Sequence, residues 1–142
     1  MTTTIKIITA KDFLEVTPEG IINLDTSRKL LVEIAKAEHH PVDYELFVDF
    51  RDTVSQLTTF DVYQLAGELY KHGDTFRRKV ALVVLPGINF YHARFFETCS
   101  LKRGFSVNAF TDYEKAIHWI LSVEELPNNN DSSDKTDASD GK

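Results

Sequence analysis

Residues 77–120 read RRKVALVVLPGINFYHARFFETCSLKRGFSVNAFTDYEKAIHWI, and this stretch decides the fold class. Val80 to Leu85 is an uninterrupted apolar run behind a basic triplet, the pattern of a strand covered on both faces in a parallel sheet. Pro86-Gly87 breaks the run. Asn89 is placed to cap a helix reaching about Leu101, with Ala93, Phe96 and Ser100, and Tyr91, Phe95 and Cys99, as its inward candidates. Gly104 closes that helix, and Phe105 to Phe110 reads as a further strand. Thr111-Asp112-Tyr113-Glu114 has the form of a capping box and opens a helix that turns Ala116, Ile117, Ile120 and Leu121 inward. Strands and helices alternating at this spacing require right-handed crossovers and a largely parallel sheet.

The same alternation extends toward the N-terminus. Thr58-Thr59-Phe60-Asp61 is another capping box, followed by Val62, Leu65, Ala66, Leu69 and Tyr70 on one helical face and by Gly73 as the stop. From Tyr44 to Phe50, the side chains of Tyr44, Leu46, Val48 and Phe50 share one face of a strand and Phe47 takes the other. Asp25 or Thr26 is placed to cap a first helix carrying Leu30, Leu31, Ile34, Ala35 and Ala37, which ends at His39-His40-Pro41. Earlier still, Ile5, Ile7 and Ile8 are apolar and Phe13 to Val16 is strand-like. Thr17-Pro18-Glu19-Gly20 has turn chemistry, and Ile21 to Leu24 resumes, which suggests a hairpin across that turn. The expected order is ββ(β)αβαβαβα: an α/β fold with a mixed, mostly parallel sheet, an antiparallel N-terminal edge and about four helices.

The chain has 142 residues, 42% of them hydrophobic and 27% charged, which suits a single globular domain. A net charge of −6 disfavours a general nucleic-acid binder, which needs a basic face. The single cysteine, Cys99, excludes an internal disulfide. No apolar run approaches the length of a membrane span, and MTTTIKIITAKDF lacks the apolar stretch of a signal peptide, so a cytoplasmic protein without integral membrane association is expected. Composition shifts at Pro127. From there PNNNDSSDKTDASDGK has no aromatic residue and nothing aliphatic larger than Ala138, so it cannot bury enough apolar area to offset the entropy of ordering. The expected division is a domain over 1–124 and a disordered acidic tail over 125–142.

Residues 77–120 also resemble the SpoIIAA-like "STAS/SEC14" subgroup of the STAS family, where a V-A-L-V-V strand leads through a helix to an F-x-D-x-x-x-A-x-x-W-L ending. Here that ending runs from Phe110 through Asp112, Ala116 and Trp119 to Ile120, and the LFVDFRD stretch fits the family's second buried strand and its polar exit. The resemblance covers roughly residues 5–123. It implies a SpoIIAA-like fold and a regulatory or protein-interaction role without catalytic machinery or cofactor. In the antagonist branch it also implies a serine or threonine, at the start of the helix after the central strand, that takes phosphate from a partner kinase. The usual Asp-Ser-Ser-Gly pattern is replaced here by Leu57-Thr58-Thr59-Phe60, which keeps hydroxyls but lacks the aspartate and the glycine.

Two sets of candidate residues follow. Thr58 and Thr59 stand at a helix N-terminus, where free N–H groups suit an anion and a hydroxyl can equally act as a simple cap. Asp49, Arg51 and Asp52 leave the carboxyl end of a central strand, the edge where open α/β sheets bind ligands. Asn89, His92 and Arg94 follow the neighbouring strand onto the same edge. Arg51, Asn89, His92 and Arg94 are thus expected to approach one another around a small anionic or lipid-like ligand. The alternatives are local salt bridges and turn hydrogen bonds for Asp49, Arg51 and Asp52, and a core role for the neighbouring aromatics. Adjacent His39 and His40 with Asp43 do not make a tetrahedral metal set. Cys99, in mid-helix, reads as a small buried hydrophobe, and Arg77-Arg78-Lys79 as a solvated loop. The leading expectation is a non-enzymatic STAS-type interaction domain, phosphoswitched, with a regulator or kinase as partner and homodimerisation through an edge strand or helix face. The alternative is a small-anion or lipid-binding module at the carboxyl edge of the sheet.

Overall fold

In a computed structural model, residues 2–8, 13–37 and 44–122 are described. The tail and the His39, His40 and Asp43 group lie outside them. The described elements are β1 (Thr2–Ile8), β2 (Phe13–Ile22), α1 (Leu24–Ala35), β3 (Glu45–Asp49), β4 (Thr53–Ser55), α2 (Thr59–Glu68), β5 (Val80–Val83), α3 (Ile88–Leu101), β6 (Val107–Phe110) and α4 (Tyr113–Leu121). A 3-10 segment, Leu69–His72, continues α2 before Gly73 takes a positive φ of 61°.

The strand order is β1-β2-β3-β5-β6, with β4 beside β2. β1 runs antiparallel to β2, and β2, β3, β5 and β6 pair in parallel. Each step from β2 to β3 to β5 to β6 moves across the sheet in one direction. Right-handed crossovers therefore put α1, α2 and α3 on one face, and α4 is left to cover the other. The core divides the same way. Leu14, Val16, Leu46, Val48, Leu82 and Val107 face α1–α3, while Phe13, Phe47, Ala81 and Val83 pack with Ala116 and Ile120 of α4.

Several local expectations are corrected. Thr17–Gly20 is no turn: β2 passes straight through it, because β1 pairs with β2 from Phe13 to Glu19. Pro18 is fully buried and lies just beyond the last β2–β3 pair, Val16 with Val48, where its missing N–H breaks no pair of that ladder. Gly20, at a φ of 103° that a Cβ would strain, begins the pairing of β2 with β4. α1 is capped by Asn23 rather than Asp25 or Thr26; the Asn23 side chain accepts from the N–H of Thr26, whose hydroxyl accepts from the N–H of Asn23. α3 starts behind Gly87, so Asn89 lies inside its first turn, and α4 is capped by Asp112, one residue beyond Thr111.

Candidate functional site

The sheet splits at the carboxyl end of β3. Phe50 still bonds β5, its N–H donating to the Val83 carbonyl at 2.8 Å. The chain then turns at Arg51 and Asp52 and rejoins β2, with the Gly20 N–H donating to the Asp52 carbonyl at 3.2 Å and β4 pairing from Gly20 to Ile22. The hydroxyl of Thr53 braces the turn by donating to the Phe50 carbonyl at 2.6 Å. β4 inverts the usual amphipathic order: Thr53 is buried, Ser55 is half-buried and Val54 is 64% exposed.

Between this split edge and the helices α1–α3 lies a cavity of about 130 Å³. Its walls are hydrocarbon from both sheet and helices, among them Leu30, Phe50, Leu65, Leu82, Val84 and Phe96. The polar lining is neutral, apart from the titratable ring of His92, and comes from the carboxyl edge: Ser27 near the start of α1, Thr53 and Ser55 of β4, and Asn89 and His92 of α3. Among the described residues no Arg, Lys, Asp or Glu lines the cavity. Nδ1 of His92 is buried without a hydrogen-bond partner among the described residues.

The structure separates the residues that the sequence expectation gathered. Asn89 and His92 reach the cavity, but Arg51 does not. It belongs to the α4 face, where Nε and Nη2 donate to the two Asp49 carboxylate oxygens at 2.9 and 2.8 Å and the guanidinium lies 4.9 Å from the centre of the Tyr113 ring. The reason is strand parity: Asp49 shares the side of Phe47, and Val48 and Phe50 point the other way. Burial pushes the Asp49 carboxyl up, but the hydrogen bonds and charge of Arg51 outweigh it and hold the group below its ordinary range. Burial and the Glu15 carboxylate, which accepts from the Tyr113 hydroxyl at 3.2 Å, push that phenol up. Asp52 is exposed and serves the turn through its carbonyl.

Arg94 is also away from the cavity. Its guanidinium pairs with Glu97 at 3.4 Å and lies 5.8 Å from the Phe90 ring centre. Glu97 in turn accepts from the N–H of Ala109 on β6, the strand at the other end of the sheet from β1. Burial raises the Glu97 carboxyl pKa, against the opposing Ala109 hydrogen bond and Arg94 charge. Thr58 is the N-cap of α2: its hydroxyl accepts from the Asp61 N–H at 3.1 Å, and the Asp61 carboxylate accepts from the Thr58 N–H at 3.0 Å. Thr59 is exposed in the first turn.

Sequence reading placed a pocket with Asn89 and His92 at this edge, but missed its hydrocarbon walls, the hydroxyls of β4 that line it, and Lys79. Lys79 is no solvated loop residue: it is 7% exposed, and its ammonium donates to the Trp119 and Ser122 carbonyls at 3.0 and 2.7 Å and to Ser122 Oγ at 3.0 Å. It thereby satisfies the open C-terminal end of α4. Cys99 is buried as expected.

Comparison with solved structures settles the architecture. A crystal structure of a DUF3478-family protein with a SpoIIAA-like fold, from Shewanella loihica PV-4, superposes with a TM-score of 0.54 at 20% identity, over 83% of this chain and 93% of that one. This chain has a SpoIIAA-like fold. No family model and no curated protein matches the sequence. At this identity the likeness establishes the SpoIIAA-like fold, as the resemblance of residues 77–120 implied, and the site must be argued from its own residues. No helix among the described residues is long and apolar enough to cross a membrane.

Proposed function

We propose that this SpoIIAA-like domain is a non-catalytic binding module that takes a small apolar ligand into the cavity between the split carboxyl edge and α1–α3. The observation that carries the reading is the cavity itself: about 130 Å³, walled by hydrocarbon, with its few hydrogen-bonding groups confined to one end. An engineered hydrocarbon-lined void of about 150 Å³ in another protein stays dry and binds benzene, so the volume here suits a compact apolar guest. Of the two ligand classes expected at this edge, the apolar one is favoured over the anionic one. The arginines expected to hold an anion are engaged elsewhere, Arg51 by Asp49 and Arg94 by Glu97.

A thermal-shift screen of small apolar compounds, followed by amide NMR mapping, tests the reading. Binders should raise the melting temperature and move amides of β4, α1 and the first half of α3. Binders that map only to α4, or an absence of binders at millimolar concentration, would refute it.

A second reading, docking of a protein partner at the same edge, is favoured by Val54, Phe60, Ile88 and Tyr91. These are 64%, 66%, 65% and 61% exposed, and all come from segments at the carboxyl edge. Under it, Thr59 beside Phe60 is the accessible hydroxyl of a phosphoswitch. Fragmentation mass spectrometry across residues 51–64 of the protein from its native cells tests that switch, and an unmodified chain across several growth conditions counts against it.

A further inference from the structure

The cations of the domain are unevenly paired. Arg28, Arg51 and Arg94 each hold a carboxylate, those of Glu68, Asp49 and Glu97. Lys71, Lys102 and Arg103 form no ion pair among the described residues. All three stand at the amino edge of the sheet, where α2 and α3 finish: Lys71 in the 3-10 segment that continues α2, Lys102 and Arg103 directly behind α3. Tyrosines are set among them. The Arg103 guanidinium lies 5.1 Å from the centre of the Tyr63 ring, and the Tyr70 ring meets Phe105 edge-on at 5.5 Å. Arg77 extends the row, with its guanidinium 4.8 Å from the centre of the same Phe105 ring. Its pair with Asp74, at 3.8 Å between two exposed side chains, is weak. Cations near helix C-termini are expected from the helix dipole, but the dipole does not call for Tyr63 and Tyr70 to be 48% and 56% exposed between them.

The chain leaves α4 at this same edge. The Ser122 carbonyl accepts from the Lys79 ammonium at 2.7 Å, two residues along the chain from Arg77. Residues 123–142 follow, with six carboxylates against two lysines, a net −4 of the chain's −6. Asp131, Asp134, Asp137 and Asp140 recur at every third position. An extended polyproline-II chain has three residues per turn, so in that conformation the four carboxylates share one side at intervals of about 9 Å. Asp131 lies nine residues beyond Ser122, a stretch that can span about 30 Å. That exceeds twice the radius of gyration of a domain of this size, about 13 Å, so the row of cations is within reach.

We propose that the acidic segment 131–140 docks in cis, in extended form, on the basic and aromatic face that Lys71, Arg77, Lys102 and Arg103 form around Tyr63 and Tyr70. Each exposed charge pair is weak, but attachment through Ser122 supplies an effective concentration in the millimolar range, so several such pairs hold together. The face lies at the opposite edge of the sheet from the cavity, and the proposal is independent of what the cavity binds.

The test is paramagnetic broadening of amide NMR signals in the full chain, with a nitroxide on Ser139→Cys; Cys99 is buried and does not compete for the label. At low salt the broadening should concentrate at residues 70–72, 77–78 and 101–104. It should fall by about half or more at about 1 M salt, where the screening length is near 3 Å. The same loss is expected when Asp131, Asp134, Asp137 and Asp140 are all replaced by Asn, and when Lys102→Glu and Arg103→Glu are combined. Broadening confined to the residues around Ser122, or strongest at the carboxyl edge, would overturn the proposal. So would a pattern that neither salt nor the Asn replacements change. Labelled chain mixed with unlabelled, isotope-enriched chain should broaden nothing, and equal broadening there would replace docking in cis by contact between copies. The salt and Asn arms leave the domain itself unaltered, so they decide the matter even if the Glu variant does not fold.

Discussion

Replacing Lys79 with methionine removes a buried ammonium and keeps most of its hydrocarbon stem. In the wild type that ammonium donates to the Trp119 carbonyl, the Ser122 carbonyl and Ser122 Oγ, and sits 5.3 Å from the centre of the Trp119 ring. A hydrogen bond to a charged group contributes about 1.5–3 kcal/mol net. The three are not additive here. The Trp119 carbonyl keeps the Ser122 N–H and hydroxyl as donors, and Ser122 is exposed enough for its own carbonyl to find water. Losing the burial cost of the charge offsets part of what remains. The expected net loss is about 2–3 kcal/mol, the size of one fully effective charged bond plus the cation–ring contact. Equilibrium unfolding in urea reads it directly: with a slope of about 1.5 kcal/mol per molar, the midpoint should fall by roughly 1.3–2 M. Amide exchange supplies the local signature, since protection should drop most at the C-terminal end of α4, while β5, anchored on both sides by β3 and β6, keeps its own. A midpoint within about 0.3 M of the wild type would refute the reasoning. So would a loss of that size spread evenly over the exchange profile, because the ammonium would then not be what closes α4.

Two further substitutions probe groups that burial has placed under tension. Glu97→Gln keeps an acceptor for the Ala109 N–H and removes a carboxylate whose pKa burial raises. A raised acid pKa means the folded state favours the protonated form. The wild type therefore gains stability as pH falls toward and below 4.5 and loses it as pH rises through the shifted value. In the variant that contribution should disappear from stability measured across pH 4–7, and stability at pH 7 should stay within about 0.5 kcal/mol of wild type or exceed it, since the Arg94 side of the lost pair is 58% exposed and the burial cost of the carboxylate goes with it. An unchanged pH profile would contradict the assignment. Ser100→Ala removes a fully buried hydroxyl whose oxygen has no partner among the described residues and places a better helix former in the last turn of α3. A gain of about 0.5–1 kcal/mol, seen as a melting temperature higher by about 2–4 °C, is expected, and a loss would show that the hydroxyl is bonded.

What the sequence disclosed and what it hid divides along the range of the interactions involved. The Thr58–Asp61 box, the apolar run of β5 and the alternation of Leu46, Phe47 and Val48 depend on neighbours within a few residues, and the structure realises each of them. Caps were located less well where several candidates crowd together. Asn23, Asp25 and Thr26 can all cap, and the exit of β2 decides for Asn23. Lys79 belonged to a basic triplet by composition, but its partners are some forty residues away, at the end of α4. The expected gathering of Arg51 with His92 failed for a reason that was in fact readable. With Phe47 set opposite Val48 and Phe50, parity already sends Asp49, and the arginine that grips it, to the α4 face. The cavity left the faintest sequence trace, the inward hydroxyls of Thr53 and Ser55 around an outward Val54, in a segment too short to be read as a strand.

The misread turn and the site share one origin. Thr17-Pro18-Glu19-Gly20 carries turn chemistry because it must interrupt one side of β2 without interrupting the other. Along its β1 side the strand is continuous through Glu19. On the opposite side the pairing with β3 ends at Val16 and pairing with β4 begins at Gly20, and the gap falls where proline offers no N–H and glycine supplies the positive φ. A regular strand in this position would hold β3 and β4 as one continuous neighbour, with side chains of alternating parity closing the carboxyl edge. The interruption lets β3 follow β5 while β4 stays with β2, and this turns Thr53 and Ser55 inward beside Asn89 and His92. The polar end of the cavity is therefore a product of the backbone break in β2. The same two residues that imitate a hairpin in the sequence open the edge at which the ligand is proposed to bind.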